Sequence, residues 1–127
     1  MDPEQSPALA PGLEATNEFS VEGQLVTDVG GTIGFSVLST PGMIAMMEHT
    51  AAMLVYPLLP EGQATVGFEV CVRHVAGAPA GSRCTARARL TEVIDARKLR
   101  FDIEVVHEDG RTIGVGTHER RMVDARR

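Results

Sequence analysis

The pattern of apolar and polar positions predicts a strand, one long helix and then several strands. Apolar residues alternate with other residues over positions 19–25, which predicts a half-buried strand. A helix begins at Thr40, whose hydroxyl we expect to cap it, because Pro41 follows in the first turn, and it ends before Pro57. Nearly every residue of this helix is apolar, so we expect it to be buried on most sides, with a second subunit covering what one sheet cannot.

Four further segments have the two-residue period of strands. They are separated by turn signals at GAPAG, DARK and EDG, and they span residues 64–76, 82–94, 99–108 and 111–123. Short connections of this kind predict an antiparallel sheet with one buried and one solvated face. If GAPAG forms a tight hairpin, Cys71 and Cys84 face each other across it. We expect both to be reduced thiols in an intracellular protein.

Length and composition describe a single small domain. The chain has 127 residues, of which 43% are hydrophobic and 23% charged, as in ordinary globular proteins. Residues 1–14 are rich in Pro, Ala and Glu and predict a flexible arm, which leaves residues 15–127 as the domain. No apolar run is long enough to span a membrane, and the N-terminus lacks the basic and apolar regions of a signal peptide. We therefore expect a soluble, cytoplasmic protein that makes no membrane contact.

The charge is distributed unevenly along the chain. The net charge of −5 argues against nucleic acid as a partner. All 12 basic residues lie beyond residue 72, and all of them except Lys98 are arginines. Two interpretations stay open: most of these arginines cover a solvated sheet face, or one or two of them hold a phosphorylated ligand. Neither the cysteines nor the histidines have the spacing of a metal site, so we expect no bound metal.

One acidic residue, Glu48, lies within the apolar helix. Burial of a carboxylate is costly unless it is paired or neutral, and such groups concentrate at active sites; the alternative is a structural acid held by an arginine. Thr40 lies at the helix N-terminus, where backbone N–H groups favour a developing oxyanion. Eight helical residues separate Thr40 and Glu48 by about 12 Å. They can serve one reaction only with substrate between them or from two subunits.

Three segments carry a resemblance to a known family. They are TPGMIAMMEH at 40–49, GFEVCVRH at 67–74 and GTHER at 116–120. Together they resemble the fluoroacetyl-CoA-specific thioesterases from about Thr40 to Val123. The resemblance implies an α+β hot-dog fold, in which a five-stranded antiparallel sheet wraps one long buried helix. It also implies hydrolysis of an acyl-CoA thioester with no metal or redox cofactor.

The resemblance assigns roles to five residues. The family's catalytic threonine, glutamate and histidine correspond to Thr40, Glu48 and His74. The glycine that contacts the acyl carbonyl corresponds to Gly67. A C-terminal arginine corresponds to Arg120, which binds a CoA phosphate or covers the sheet face.

The resemblance stops before the threonine. Family members that select fluoroacetate have a phenylalanine-rich lid there, whereas this chain has GGTIGFSVLS, in which Phe35 is the single aromatic residue. The expected function is thus an acyl-CoA thioesterase with a short acyl substrate of a different preference, acting as a homodimer or a dimer of dimers. Two alternatives stay open: a hot-dog dimer that binds acyl-CoA or a small ligand without catalysis, and a hot-dog hydratase.

Overall fold

A computed structural model describes residues 9–126, and residues 1–8 of the predicted arm lie outside the described part. The elements are one long helix and seven strands, two of them very short: β1 Glu14–Ser20, β2 Val26–Thr27, β3 Val37–Leu38, α1 Thr40–Val55, β4 Gln63–His74, β5 Arg83–Ile94, β6 Lys98–His107 and β7 Thr112–Asp124. Short 3₁₀ turns follow β1 at residues 23–25 and follow α1 at residues 56–58.

The five long strands form one antiparallel sheet in the order β1-β5-β6-β7-β4, and α1 packs on its inner face. This confirms the predicted hot-dog arrangement. The core joins alternate residues of β5 and β6 to one stripe of the helix, namely Met43, Met47, Ala51 and Val55. Within residues 9–126, no helix is long and apolar enough to cross a membrane.

The predicted hairpin between β4 and β5 is wrong. Strand β4 pairs with β7, so Cys71 lies opposite Thr117, while Cys84 lies between Phe19 and His107. The connecting segment, residues 75–82, crosses the molecule and bonds to the chain before the helix, where the Leu38 N–H donates to the Ala78 carbonyl. This crossover places β4 at one edge of the sheet and β5 next to β1 at the other.

The N-terminal strand lies earlier than predicted. β1 covers residues 14–20, and only Phe19 and Val21 of the predicted strand are buried. The described end of the predicted arm is anchored, because the Gly12 N–H donates to the Leu90 carbonyl and the Leu90 N–H donates to the Leu13 carbonyl. Leu13 also packs against the core. These hydrogen bonds and the partial burial of Leu13 hold a segment whose composition predicted flexibility.

Ser39, and not Thr40, caps the helix. The Ser39 hydroxyl accepts a hydrogen bond of 2.9 Å from the Gly42 N–H, and Thr40 is the first helical residue. Both residues carry hydroxyls, so composition does not separate them. The space around position 42 admits only glycine, because a Cβ there would lie 2.7 Å from the Leu25 carbonyl oxygen, and this fixes the position of the first helical turn. The Thr40 hydroxyl is therefore available for other contacts.

Replacement of the cap gives the first prediction. Ser39→Ala removes the acceptor for the Gly42 N–H and should lower the free energy of unfolding by about 1 kcal/mol. Thr40→Ala is the matched control, because it deletes a neighbouring hydroxyl that caps nothing. Urea denaturation checks both variants, and an unchanged free energy of unfolding in Ser39→Ala would contradict the assignment of the cap.

Candidate functional site

A hydrogen bond joins the start of the helix to the end of β4. The Thr40 Oγ1 and His74 Nδ1 atoms are 2.8 Å apart. When the His74 ring carries its proton on Nε2, Nδ1 accepts the hydroxyl hydrogen and acts as a base toward it. The Nε2 atom is buried and has no hydrogen-bond partner among residues 9–126. The structure thus brings together Thr40 and His74, to which the resemblance assigns catalytic roles.

The helix N-terminus is less open to an oxyanion than expected. Ser39 takes two of its N–H groups, since its hydroxyl accepts from Gly42 and its carbonyl accepts from Met43. Pro41 has no N–H to offer. Of the first four helical residues, Thr40 alone keeps a backbone N–H outside the cap. The helix dipole still favours negative charge at this end.

Two turns along the helix, Glu48 lies over Gly67 of β4. Its Oε2 atom is 3.6 Å from Arg120 Nη1, and its side chain remains 38% exposed. A Cβ at position 67 would lie only 2.5 Å from Glu48 Oε2, so glycine gives the carboxylate its space. The structure thus brings together the predicted Glu48, Gly67 and Arg120. In a single chain this acid is half-buried and ion-paired, and not fully desolvated.

Arg120 points inward and is 7% exposed. Its Nε donates to the Thr65 hydroxyl at 2.8 Å and its Nη2 donates to the Thr65 carbonyl at 3.0 Å. Its Nη1 donates to His118 Nε2 at 3.2 Å. Burial lowers the pKa of this guanidinium, and the charge of Glu48 opposes that shift. A group held in this way faces Glu48 inside the protein and does not cover the solvated sheet face, which was one of the two interpretations from the sequence.

Sequence reasoning left one member of this cluster, His118, without a function. The ring is 2% exposed and stacks on Phe101 with centroids 5.9 Å apart. Its Nδ1 donates to the Glu69 carbonyl at 2.8 Å, so its Nε2 is the acceptor for Arg120. Desolvation lowers the His118 pKa, and the Arg120 charge acts in the same direction. A period-two pattern in GTHER could have indicated that His118 and Arg120 share a face.

The site residues form two clusters in one chain. One contains Thr40 and His74; the other contains Glu48, Gly67 and Arg120. The helix separates Thr40 from Glu48 by about 12 Å at 1.5 Å per residue. Along β4, seven residues at about 3.3 Å each separate His74 from Gly67. His49, next to Glu48 in sequence, is exposed on another side of the helix, as predicted.

Most other arginines pair with acidic side chains on the outer face or at turns. The described pairs are Arg83–Glu18, Arg87–Glu104, Arg100–Glu92, Arg100–Glu119, Arg111–Asp109, Arg121–Glu119 and Arg126–Asp124. These pairs support the interpretation of a solvated sheet face. The pairs in which both side chains are exposed contribute little to stability, whereas the carboxylate that Arg100 and Arg121 share is buried.

Comparison with known proteins places the chain in one family. The family model described as "Fluoroacetyl-CoA-specific thioesterase" matches residues 21–126. The fluoroacetyl-CoA thioesterase of Streptantibioticus cattleyicolor is 33% identical over 87 residues, which are 68% of this chain and 61% of that protein. The chain therefore aligns with less than two thirds of the length of that relative.

Solved structures give the same result over more of the chain. A fluoroacetyl-CoA thioesterase structure superposes with a TM-score of 0.84 at 25% identity and covers 94% of this chain and 91% of its own. A Thermus thermophilus protein of the thioesterase superfamily superposes with a TM-score of 0.82 at 28% identity and covers 91% of this chain and 85% of its own.

The environment of His118 predicts a pH dependence of stability. Its folded pKa lies below the unfolded value of about 6.5. His118 thus contributes stability that is present above pH ~6.5. This stability is lost as the pH falls below that value, because the unfolded chain binds the proton before the folded chain does. The free energy of unfolding then decreases by at most ~1.4 kcal/mol per pH unit.

Urea denaturation between pH 7.5 and 5.5 checks this prediction. His118→Gln should flatten the slope in this window, whereas His49→Gln, which removes an exposed histidine, should keep it. The carboxylates with lowered pKa values respond at lower pH: hydrogen bonds from Arg111 lower the pKa of Asp109 to about 2, and a hydrogen bond from Arg121 lowers the pKa of Glu119. An unchanged slope in His118→Gln would contradict the prediction.

Proposed function

Because the chain belongs to the fluoroacetyl-CoA-specific thioesterase family, we propose that it hydrolyses short acyl-CoA thioesters. The observation that carries the proposal is the 2.8 Å contact between Thr40 Oγ1 and His74 Nδ1 at the helix N-terminus. A hydroxyl next to an imidazole is suited to acyl transfer. The reaction needs no metal or redox cofactor. We place it in the cytoplasm, where the exposed Cys71 stays reduced.

The proposed roles follow from the two clusters. Glu48 either takes a proton from the attacking water or attacks the thioester carbonyl itself, and Thr40 with His74 supplies a hydroxyl and a base. Either route breaks the C–S bond, consumes one water and releases a carboxylic acid and the CoA thiol. Gly67 leaves room for the Glu48 carboxylate, and the resemblance assigns this glycine a contact with the acyl carbonyl. We assign Arg120 to holding Glu48, because its guanidinium faces that carboxylate.

We further propose that two subunits share each site. Strand β4 is a 12-residue edge strand whose outer side has no partner strand within the described chain. An exposed apolar edge of this length invites pairing with another chain. An antiparallel pairing of β4 with its copy, centred between Val70 and Cys71, would bring His74 near Gly67 of the partner subunit. The Thr40–His74 cluster of one subunit would then meet Glu48 of the partner subunit.

The exposed apolar side chains support this assembly. Phe68 on β4 is 58% exposed, and Val66 of the same strand and Val75, the residue directly after it, are also exposed. On the helix, Met53 is exposed as well. In one chain the helix is buried mainly along one stripe. The sequence predicted burial on most sides, with a second subunit covering what one sheet leaves open. A second copy on β4 and the flank of the helix would complete that burial, and two such dimers could associate further.

Thiol release from a panel of acyl-CoAs tests the function. Glu48→Gln keeps the shape of the side chain and removes its charge, so kcat should fall by about 10²-fold or more while KM changes little. His49→Gln is the matched control on the same helix and should retain activity. Full activity in Glu48→Gln would contradict the role of the acid. Binding of acyl-CoA by the wild type without thiol release would favour a binding module, and addition of water to an enoyl-CoA would favour a hydratase.

Mixed subunits test the shared site. Co-expression of Thr40→Ala chains with Glu48→Gln chains should give hetero-dimers in which one site carries both defects and the other carries neither. A dimer isolated with one tagged chain of each kind should thus recover about half of wild-type activity. If each chain holds a complete site, every site keeps one defect and no activity returns. Sedimentation of the wild type as a monomer at micromolar concentration would also contradict the proposal.

The segment before the helix predicts the acyl preference. Residues 28–36 form a turn between β2 and β3 in which Gly30 and Gly31 have φ of 65° and 83°, and Phe35 is 64% exposed. An open glycine turn does not build a tight apolar wall, and even in a tight wall one methylene discriminates between two substrates by only ~1–3 kcal/mol.

We expect no strong preference for fluoroacetyl over acetyl. The ratios of kcat/KM for fluoroacetyl-, acetyl-, butyryl- and phenylacetyl-CoA check this; a fluoroacetyl preference above about a thousandfold, some 4 kcal/mol, would contradict it.

A further inference from the structure

His118 is a buried group that the proposed reaction does not use. It is 2% exposed, and both of its ring nitrogens make hydrogen bonds. A buried histidine with two specific partners fixes the position of those partners. One partner is the backbone carbonyl of Glu69 on β4, and the other is Arg120.

The two partners define the protonation state of the ring. A carbonyl oxygen can only accept, so Nδ1 of His118 carries a hydrogen. A guanidinium can only donate, so Nε2 offers its lone pair to Arg120. The ring is therefore the neutral Nδ1–H tautomer, and it links an acceptor on one strand to a donor on the next. Its other charged neighbour is Glu48, whose charge acts on the ring in the direction opposite to that of Arg120.

The guanidinium of Arg120 has three nitrogens, Nε, Nη1 and Nη2, and each has a neighbour in the structure. Thr65 holds the Nε and Nη2 side through its hydroxyl and carbonyl oxygens. His118 holds one hydrogen of Nη1, which directs the other Nη1 hydrogen toward Glu48 Oε2, 3.6 Å away. Because the guanidinium is planar, the Thr65 and His118 contacts fix its orientation together, and without His118 the Nη1 end loses its hydrogen bond.

We propose that His118 is a positioning residue, which orients Arg120 so that the guanidinium holds Glu48 over Gly67. This inference rests on the proposed role of Glu48 in thioester hydrolysis. The β-bulge in β4 makes the arrangement possible. Gly67 and Val70 are three residues apart, yet they lie opposite Arg120 and His118, which share the inner face, because Phe68 is the extra residue between them. The bulge therefore brings the Glu69 carbonyl to the ring in the same strand that leaves space for Glu48.

Two substitutions separate positioning from packing. The amide of His118→Gln reaches the place of Nε2, and its oxygen can accept from Arg120. The amide of His118→Asn reaches the place of Nδ1 and can donate only to the Glu69 carbonyl. Loss of one hydrogen bond to a charged group should lower kcat of His118→Asn by at least about tenfold with little change in KM. His118→Gln should restore most of kcat, and His49→Gln is the control for loss of an exposed histidine.

A double variant shows whether the effect passes through the carboxylate. In a Glu48→Gln background, His118→Asn should cause no further loss of kcat. Equal losses of kcat in His118→Asn and His118→Gln, or a further full loss in the double variant, would overturn the proposal. Thermal denaturation of each variant accompanies these measurements; equal losses of stability and kcat in both variants would indicate packing alone and also overturn it.

NMR provides a readout that does not depend on catalysis. In ¹⁵N-labelled wild type, His118 should show a protonated Nδ1 and an unprotonated Nε2, and the Arg120 Nη1 hydrogens should be resolved because their rotation is restrained. His118→Asn should average them, and His118→Gln should not. A wild-type ring protonated at Nε2 would overturn the proposal even if neither variant folded. If the wild type hydrolyses no thioester but shows this spectrum, the proposed function fails and the positioning of Arg120 stands.

Discussion

The structure depends on how it accommodates a carboxylate on an apolar helix. Glu48 is placed by α1 against the inner face of the sheet, where desolvation of an unpaired charge is costly. Arg120 neutralises it, but a buried guanidinium is itself costly unless its own donors are satisfied. Thr65 and His118 satisfy those donors. Each group in this series solves the burial problem created by the one before it, and the series ends at a backbone carbonyl of β4.

Strand β4 connects the two parts of the candidate site. Its last residue, His74, meets Thr40, and its bulge near Gly67 meets Glu48 and Arg120. Bulges change the direction of side chains next to functional sites, and this one places two inward positions three residues apart. Because the helix is rigid, the separation of the two clusters is fixed by its length. In the proposed dimer, symmetry supplies the missing partner of each cluster, and the residues of both clusters lie on the helix, β4 and β7.

Local patterns predicted much of the fold, and long-range contacts decided the rest. The helix and the four later strands were predictable because their periods of burial differ. The partner strand of β4 was not predictable. GAPAG has the composition of a hairpin turn, and the hydrogen bond between the Leu38 N–H and the Ala78 carbonyl joins residues far apart in sequence. The cap was ambiguous between two adjacent hydroxyls. The resemblance assigned roles to Thr40, Glu48 and His74, which stay predictions. It gave none to His118, because a histidine on a strand gives no sign of its burial until the register of β6 and β7 is known.

The loop before the helix shows how substrate preference can vary without loss of the site. Its base is fixed, since the Ser39 N–H donates to the Leu25 carbonyl and Gly42 packs against that same carbonyl. Its tip is closed by local hydrogen bonds, among them Asp28 Oδ1 with the Gly31 N–H. None of these contacts involves Thr40 Oγ1, His74 or Glu48. Residues 29–36 can therefore change in sequence while the cap, and with it the position of the Thr40 hydroxyl, stays in place. Under the proposed function, this separation would let the loop alter which acyl group enters while the helix and β4 keep Thr40, His74 and Glu48 in place.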